Sequence, residues 1–221
     1  MHTPRWFTRF PTGADGATIV RLGLLCKKAR LRLKEKITMN RRIFLAAAFI
    51  AAFPLLAQTA PKKPPASPPA TASATIGGKA ITITYSSPGV KGRENAIFTK
   101  DGLISHNPHY PVWRGGANAA TTLKTEGDIM IGDVMVPAGT YTLFVDISDS
   151  DNWTLIVNKQ TGQWGLAYDG TQDLGKTKMT MSKPPAMVEN LVYIIKDGGG
   201  GNGTLTLAWE DHSASVPIMA H

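Results

Sequence analysis

From about residue 75 onward, wherever this chain shows a pattern, apolar and polar residues alternate with period two. In Ala80-Ile81-Thr82-Ile83-Thr84-Tyr85 the residues Ile81, Ile83 and Tyr85 share one face of an extended strand. The same alternation recurs over 140–147, 153–157 and 204–209, with shorter runs at 121–125, 128–131, 176–181, 192–195 and 214–217. No stretch of ten or more residues there carries a strong helical pattern. Turn chemistry separates the runs: Pro137-Ala138-Gly139 before one strand, Asp149-Ser150-Asp151-Asn152 between two, and the glycines of 198–203 between two more. About nine or ten short strands with tight turns predict an all-β antiparallel sandwich, jelly-roll or immunoglobulin-like. About 145 residues suffice for one sizeable core.

The other half of the chain's character lies before that domain. Met39-Asn40-Arg41-Arg42 is a short basic region, and residues 43–57 (IFLAAAFIAAFPLLA) are apolar. That stretch is too short for the roughly twenty residues a membrane span needs, and it suits a signal peptide over 39–57. Residues 1–38 read as an over-extended start or a long basic leader. The expected compartment is therefore periplasmic or secreted, with membrane attachment only if the signal stays uncleaved. Residues 58–74, rich in Pro and Ala, read as a disordered linker of polyproline II character, and 75–221 as the folded domain.

Removing the leader changes the charge. The whole chain carries 24 Lys/Arg against 16 Asp/Glu, a formal +8. Up to Ala57 there are eleven Lys/Arg against Asp15 and Glu35, which is +9; from Gln58 there are thirteen against fourteen, which is −1. The basicity that would otherwise suggest nucleic acid belongs to the leader, so no nucleic-acid partner is expected. Cys26, the only cysteine, lies there too. The domain then has no disulfide, thiol nucleophile or thiolate metal site.

Several motifs in order carry a family resemblance. They are Tyr85-Ser86-Ser87-Pro88 with Gly92-Arg93; Val112-Trp113-Arg114 with Gly116-Ala117-Asn118 and Ala120-Thr121-Thr122; and Pro137-Ala138-Gly139-Thr140-Tyr141 with Leu143-Phe144. Further on come Trp153, Asn158-Lys159, Gln163-Trp164-Gly165, Tyr168, Asp173, Leu207, Trp209-Glu210 and Val216-Pro217. Over roughly 80–218 the chain resembles the DUF2911 family. The resemblance implies an exported bacterial protein with a β-sandwich-like domain, and it implies no chemistry. Ala119 stands where the family pattern has Glu, so a role for that carboxylate would be lost here. The segment 105–111 also departs from the family's shorter loop.

The densest polar–aromatic cluster is 113–118, with Ser86, Ser87 and Arg93 nearby in the pattern. An Arg fork suits carboxylate or phosphate, Asn supplies donor and acceptor, and Trp supplies a plate for stacking. Arg93, Trp113, Arg114 and Asn118 are the candidate ligand-binding residues, with Trp164 beside them. The competing interpretation is a glycine-shaped loop with Trp113 in the core. For Trp164, burial as a loop anchor is preferred over exposure as a platform.

His106 and His109 form an H-x-x-H pair in a proline-bearing loop. They are weak metal candidates unless His212 or an Asp joins them, so no metal is expected. Asp146, Asp149 and Asp151 lack the pattern of a calcium loop and read as turn residues. No phosphate loop or G-x-S-x-G motif is present, and no cofactor is expected. Three functions stay open: a binding module for a small molecule or glycan, an envelope hydrolase using the same pocket with His106 or His109 as base, and a structural or interaction domain. The oligomeric state is left open.

Overall fold

Ile81, Ile83 and Tyr85 do point inward together, from the strand β2 (Lys79–Ser86). The computed structural model describes residues 65–220. The segments expected as leader, signal and most of the linker lie outside them. Among the described residues there is no α-helix, and no helix is long and apolar enough to cross a membrane.

Two antiparallel sheets make a sandwich, as the alternation predicts. The first contains β1 (Pro69–Ile76), β2, β3 (Val112–Trp113), β4 (Thr121–Thr125), β7 (Gly139–Asp146), β8 (Thr154–Asn158) and β9 (Asp173–Lys178). Its order is β1-β2-β4-β7-β8-β9, with β3 paired to β7. The second contains β5 (Ile129–Ile131), β6 (Val134–Val136), β10 (Thr180–Ser182), β11 (Val188–Gly199), β12 (Asn202–Glu210) and β13 (His212–Ala220). Its order is β11-β12-β13-β5-β6, with β10 paired to β13. The inward residues of both form one core, including Ile83, Leu123, Leu143, Leu155, Leu205, Leu207, Val216 and Ile218. Each such side chain contributes roughly 1.5–3 kcal/mol of apolar burial. The sheets approach one another at both edges, β1 against β11 and β6 against β9.

Two boundaries differ from the sequence reading. The linker expected to reach residue 74 stops sooner, because Pro69–Ile76 is already strand, paired to β2 from Pro69↔Ser86 to Ile76↔Lys79. Its inward residues are Ala70, Ala72, Ala74 and Ile76, small enough to hide the alternation. Pro69 is tolerated because it opens an edge strand. The run at 176–181 is two strands rather than one. Met179, 2% exposed, crosses from the first sheet to the second and donates its N–H to Trp153 O at 2.8 Å. With these and the short β3 and β6, the count among the described residues rises to thirteen.

Turns follow their residue chemistry. The Asp149 carboxylate accepts from the Asp151 N–H at 3.0 Å and the Asn152 side chain at 3.3 Å, and these bonds hold it below its usual pKa. Gly200 and Gly201 turn the β11–β12 hairpin at φ 61° and 78°, a region glycine enters without strain.

Candidate functional site

The long connection from β2 to β4 builds the site. It leaves the sheet at Ser87, whose hydroxyl donates to Leu191 O at 2.7 Å. Val90 donates its N–H to Glu189 O at 2.8 Å, tying the segment to the start of β11. Farther along, the buried Glu210 carboxylate accepts from the Asn95 N–H. The chain then passes through a 3-10 turn (Ile104–His106) and returns as β3.

Trp113 on β3 lies flat beneath this connection. It is 4% exposed, stacks on Trp209 with ring centres 5.9 Å apart at 22°, and donates its indole N–H to Gly116 O at 3.1 Å. Phe98 meets both rings edge-on. Gly115 follows at φ 57°, and any side chain there would strike the Tyr193 hydroxyl. The glycines of this loop therefore record close packing, while the loop also borders open space.

That space is a cavity of about 500 Å³, the size that takes a small ligand. Trp113 and Trp209 line it with Leu103, Ile104 and Leu166; Lys91, Arg93, Arg114, His106 and Asn107 supply its polar groups. Three of these are cations, and among the described residues no Asp or Glu lines the cavity. Such a lining favours an anion over a neutral or cationic guest.

The cations are held differently. Arg93 donates from Nε to Val90 O at 2.9 Å and from Nη2 to Gly89 O at 2.7 Å. Lys91 donates from Nζ to Ala66 O at 2.6 Å. Arg114 has its Nε buried with no partner among the described residues, and burial lowers its pKa. A guanidinium remains charged even so, and a partly desolvated cation lacking a counter-ion gains from an anion. The indole N–H of Trp209 is likewise buried and unpartnered.

The other candidates fall around this center. Asn118, exposed and at φ 59°, does not line the cavity; it donates from Nδ2 to Ser67 O, a lining residue, at 3.4 Å. Trp164 does not line the cavity, and the anchor reading is corrected: its side chain is 57% exposed. Main-chain contacts hold its loop instead. Ala119 bridges Trp164, Gly165 N–H donates to Asn118 O at 3.1 Å, and Ala120 N–H donates to Gln163 O at 3.3 Å. Gly165 lies so close to Arg114 that any side chain would displace it.

The histidines separate. His106 lines the cavity, with Nδ1 2.9 Å from Gly102 O; Nδ1 must carry the proton to donate there, leaving Nε2 as acceptor when neutral. His109 instead meets Tyr168 edge-on at 5.8 Å. Among the described residues neither belongs to a group of three metal-donor side chains. Such a group occurs at Glu210, Asp211 and His212, where His212 Nδ1 lies 2.6 Å from Asp211 Oδ1 and its ring stacks on Trp153 at 5.5 Å.

The profile of the family described as Protein of unknown function (DUF2911) matches residues 67–218. The chain belongs to DUF2911. Neither a curated protein nor a solved structure matches it. Of the cavity-lining residues of this DUF2911 domain, only Ala66 precedes the match. Sequence reasoning missed Lys91, Trp209 and the pair Ala66-Ser67. Lys91 stands within the matched motif stretch, so its neighbourhood was a signal; the others arrive through contacts distant in sequence.

Proposed function

We propose that this domain is an exported binding module for a small carboxylate- or phosphate-bearing ligand, acid sugars included. One observation carries the reading: Lys91, Arg93 and Arg114 line a cavity of about 500 Å³ that no carboxylate among the described residues lines. Arg114 is the primary anion contact, because its buried Nε has no partner among the described residues. Trp113 and Trp209 offer apolar surface to the body of the ligand. Trp164 stands on the adjoining loop, where a sugar ring extending past the rim would stack. The basic-then-apolar sequence of 39–57, read as a signal peptide, supports export.

A hydrolase in the same cavity has less support. Ser87 spends its hydroxyl on Leu191 O, and His106 has no carboxylate beside it in the lining to orient or charge it.

Calorimetry with galacturonate, citrate and neutral galactose tests the binding. An acid is expected to bind and galactose not to. Arg114→Ala is expected to weaken that acid by roughly 10- to 150-fold, the loss of one charge-assisted contact of about 1.5–3 kcal/mol. Equal binding by wild type and Arg114→Ala, or by galactose and galacturonate, would sink the reading. Cell fractionation checks the compartment: recovery with the cytosol would refute export.

A further inference from the structure

Ala66 and Ser67 form part of the cavity wall, although they belong to the proline-rich segment that precedes the first strand. Three consecutive carbonyls of that segment are captured by the domain. Ala66 O accepts from Lys91 Nζ at 2.6 Å, Ser67 O from Asn118 Nδ2 at 3.4 Å, and Pro68 O from the Ser87 N–H at 2.8 Å. The third bond continues directly into the β1–β2 ladder at Pro69↔Ser86. The first two lie beyond the ladder and depend wholly on side chains.

Those two gripping residues share a second property. Lys91 and Asn118 are two of the four non-glycine residues with positive φ among the described residues, at 53° and 59°. Such backbone is uncommon for side-chain-bearing residues, less so for Asn than for Lys, and it persists where surrounding structure enforces it. Here it accompanies side chains that meet at one strap. The strap itself is weakly buried: Pro65, Ala66 and Pro68 are exposed and Ser67 is half-buried. Pro64, Pro65 and Pro68 have no N–H to donate. The segment is therefore poor in donors, and the carbonyls of Ala66, Ser67 and Pro68 are taken up by the domain.

We propose that residues Pro65–Ser67 are a releasable strap that competes with the anionic ligand for Lys91 and opens when that ligand binds. The inference rests on the anion-binding reading above. A carboxylate satisfies an ammonium better than a neutral carbonyl does, so a ligand entering the cavity draws Lys91 from Ala66 O. With that bond lost, Ser67 is held by one long bond from Asn118, while Pro68 remains fixed by the sheet as the hinge. Linkage makes the effect mutual: whatever frees the strap raises ligand affinity by the same factor that the ligand favours release.

A nitroxide at Pro65→Cys, in the full chain with Cys26→Ser, reads strap mobility directly. Restricted motion is expected in this background, and line narrowing toward that of an unrestrained segment in Lys91→Ala/Asn118→Ala. Saturating galacturonate or citrate, whichever gives heat of binding, is expected to produce the same narrowing with Lys91 and Asn118 intact. Equal restriction with and without the two side chains would overturn the grip. Binding heat without narrowing would overturn the competition and make the strap a fixed wall. Absence of heat from either acid would overturn the binding reading and the release step together, whereas the double variant still reports on the grip alone.

Discussion

Arg93 and Arg114 line one cavity and carry the same fork, but their surroundings use them in opposite ways. Arg93 curls back on its own turn, where two carbonyls three and four residues away take Nε and Nη2. Its charge is partly spent on shaping the 89–93 turn. Arg114 extends from the end of β3 past Gly165, and its Nε is buried without an acceptor. One loop is therefore complete as it stands, and the other retains unused hydrogen-bonding capacity. The difference separates a residue that builds a cavity from one available to a guest, and residue type alone does not make that distinction.

Removing the surface beneath the cavity should erase the difference. Trp209→Ala takes away a 2%-exposed ring packed on Trp113 and Phe98. The expected loss is about 3–5 kcal/mol in urea unfolding, with acid binding lost as well. A midpoint close to wild type would mean that the floor supports neither loop. A narrower perturbation is Gly165→Ala, whose methyl group would collide with Arg114 Cδ and approach Asn118 O to 2.7 Å. Overpacking of this kind costs about 1–3 kcal/mol, and Arg114 should move and bind acid less well. Unchanged binding would show that the guanidinium position is not critical.

Truncating each arginine in turn separates the two roles. Arg93→Ala should lower stability by about 1–2 kcal/mol, the worth of two part-buried bonds to carbonyls. Arg114→Ala should change stability by less than about 1 kcal/mol, since it removes no hydrogen bond at Nε, while its effect on binding is large. Parallel urea melts and calorimetry on the two variants decide the matter. Equal losses of stability would dissolve the contrast.

The sandwich was legible because Ile, Val, Leu and Tyr alternate with Thr through most strands. It was least legible where inward residues are small, as in β1, and where a run changes sheet, as at Met179. Such a crossing leaves the alternation intact while changing the partner, so periodicity has nothing to register. At the site, the Trp113-to-Asn118 stretch stood out because its side chains and glycines are adjacent in sequence. Trp209 did not, because its place beside Trp113 follows from the packing of one sheet on the other. The exposure of Trp164 was misread for a related reason: main-chain bonds anchor its loop, so the indole need not. The two histidines show the converse limit, since H-x-x-H spacing in a loop let one ring face the cavity and the other pack on Tyr168.

The aromatic floor has an optical consequence. Trp113 and Trp209 are buried against the cavity, and Trp153 lies 6.4 Å from Trp113, whereas Trp164 is 57% exposed. Excitation passes readily among indoles this close, so a guest that quenches one ring dims its neighbours. Trp164→Phe would remove the red-shifted, water-exposed component from the domain and leave a blue emission dominated by the floor. The domain thus carries its own fluorophore at the place where a ligand would arrive, and titrations can be followed without attaching a dye.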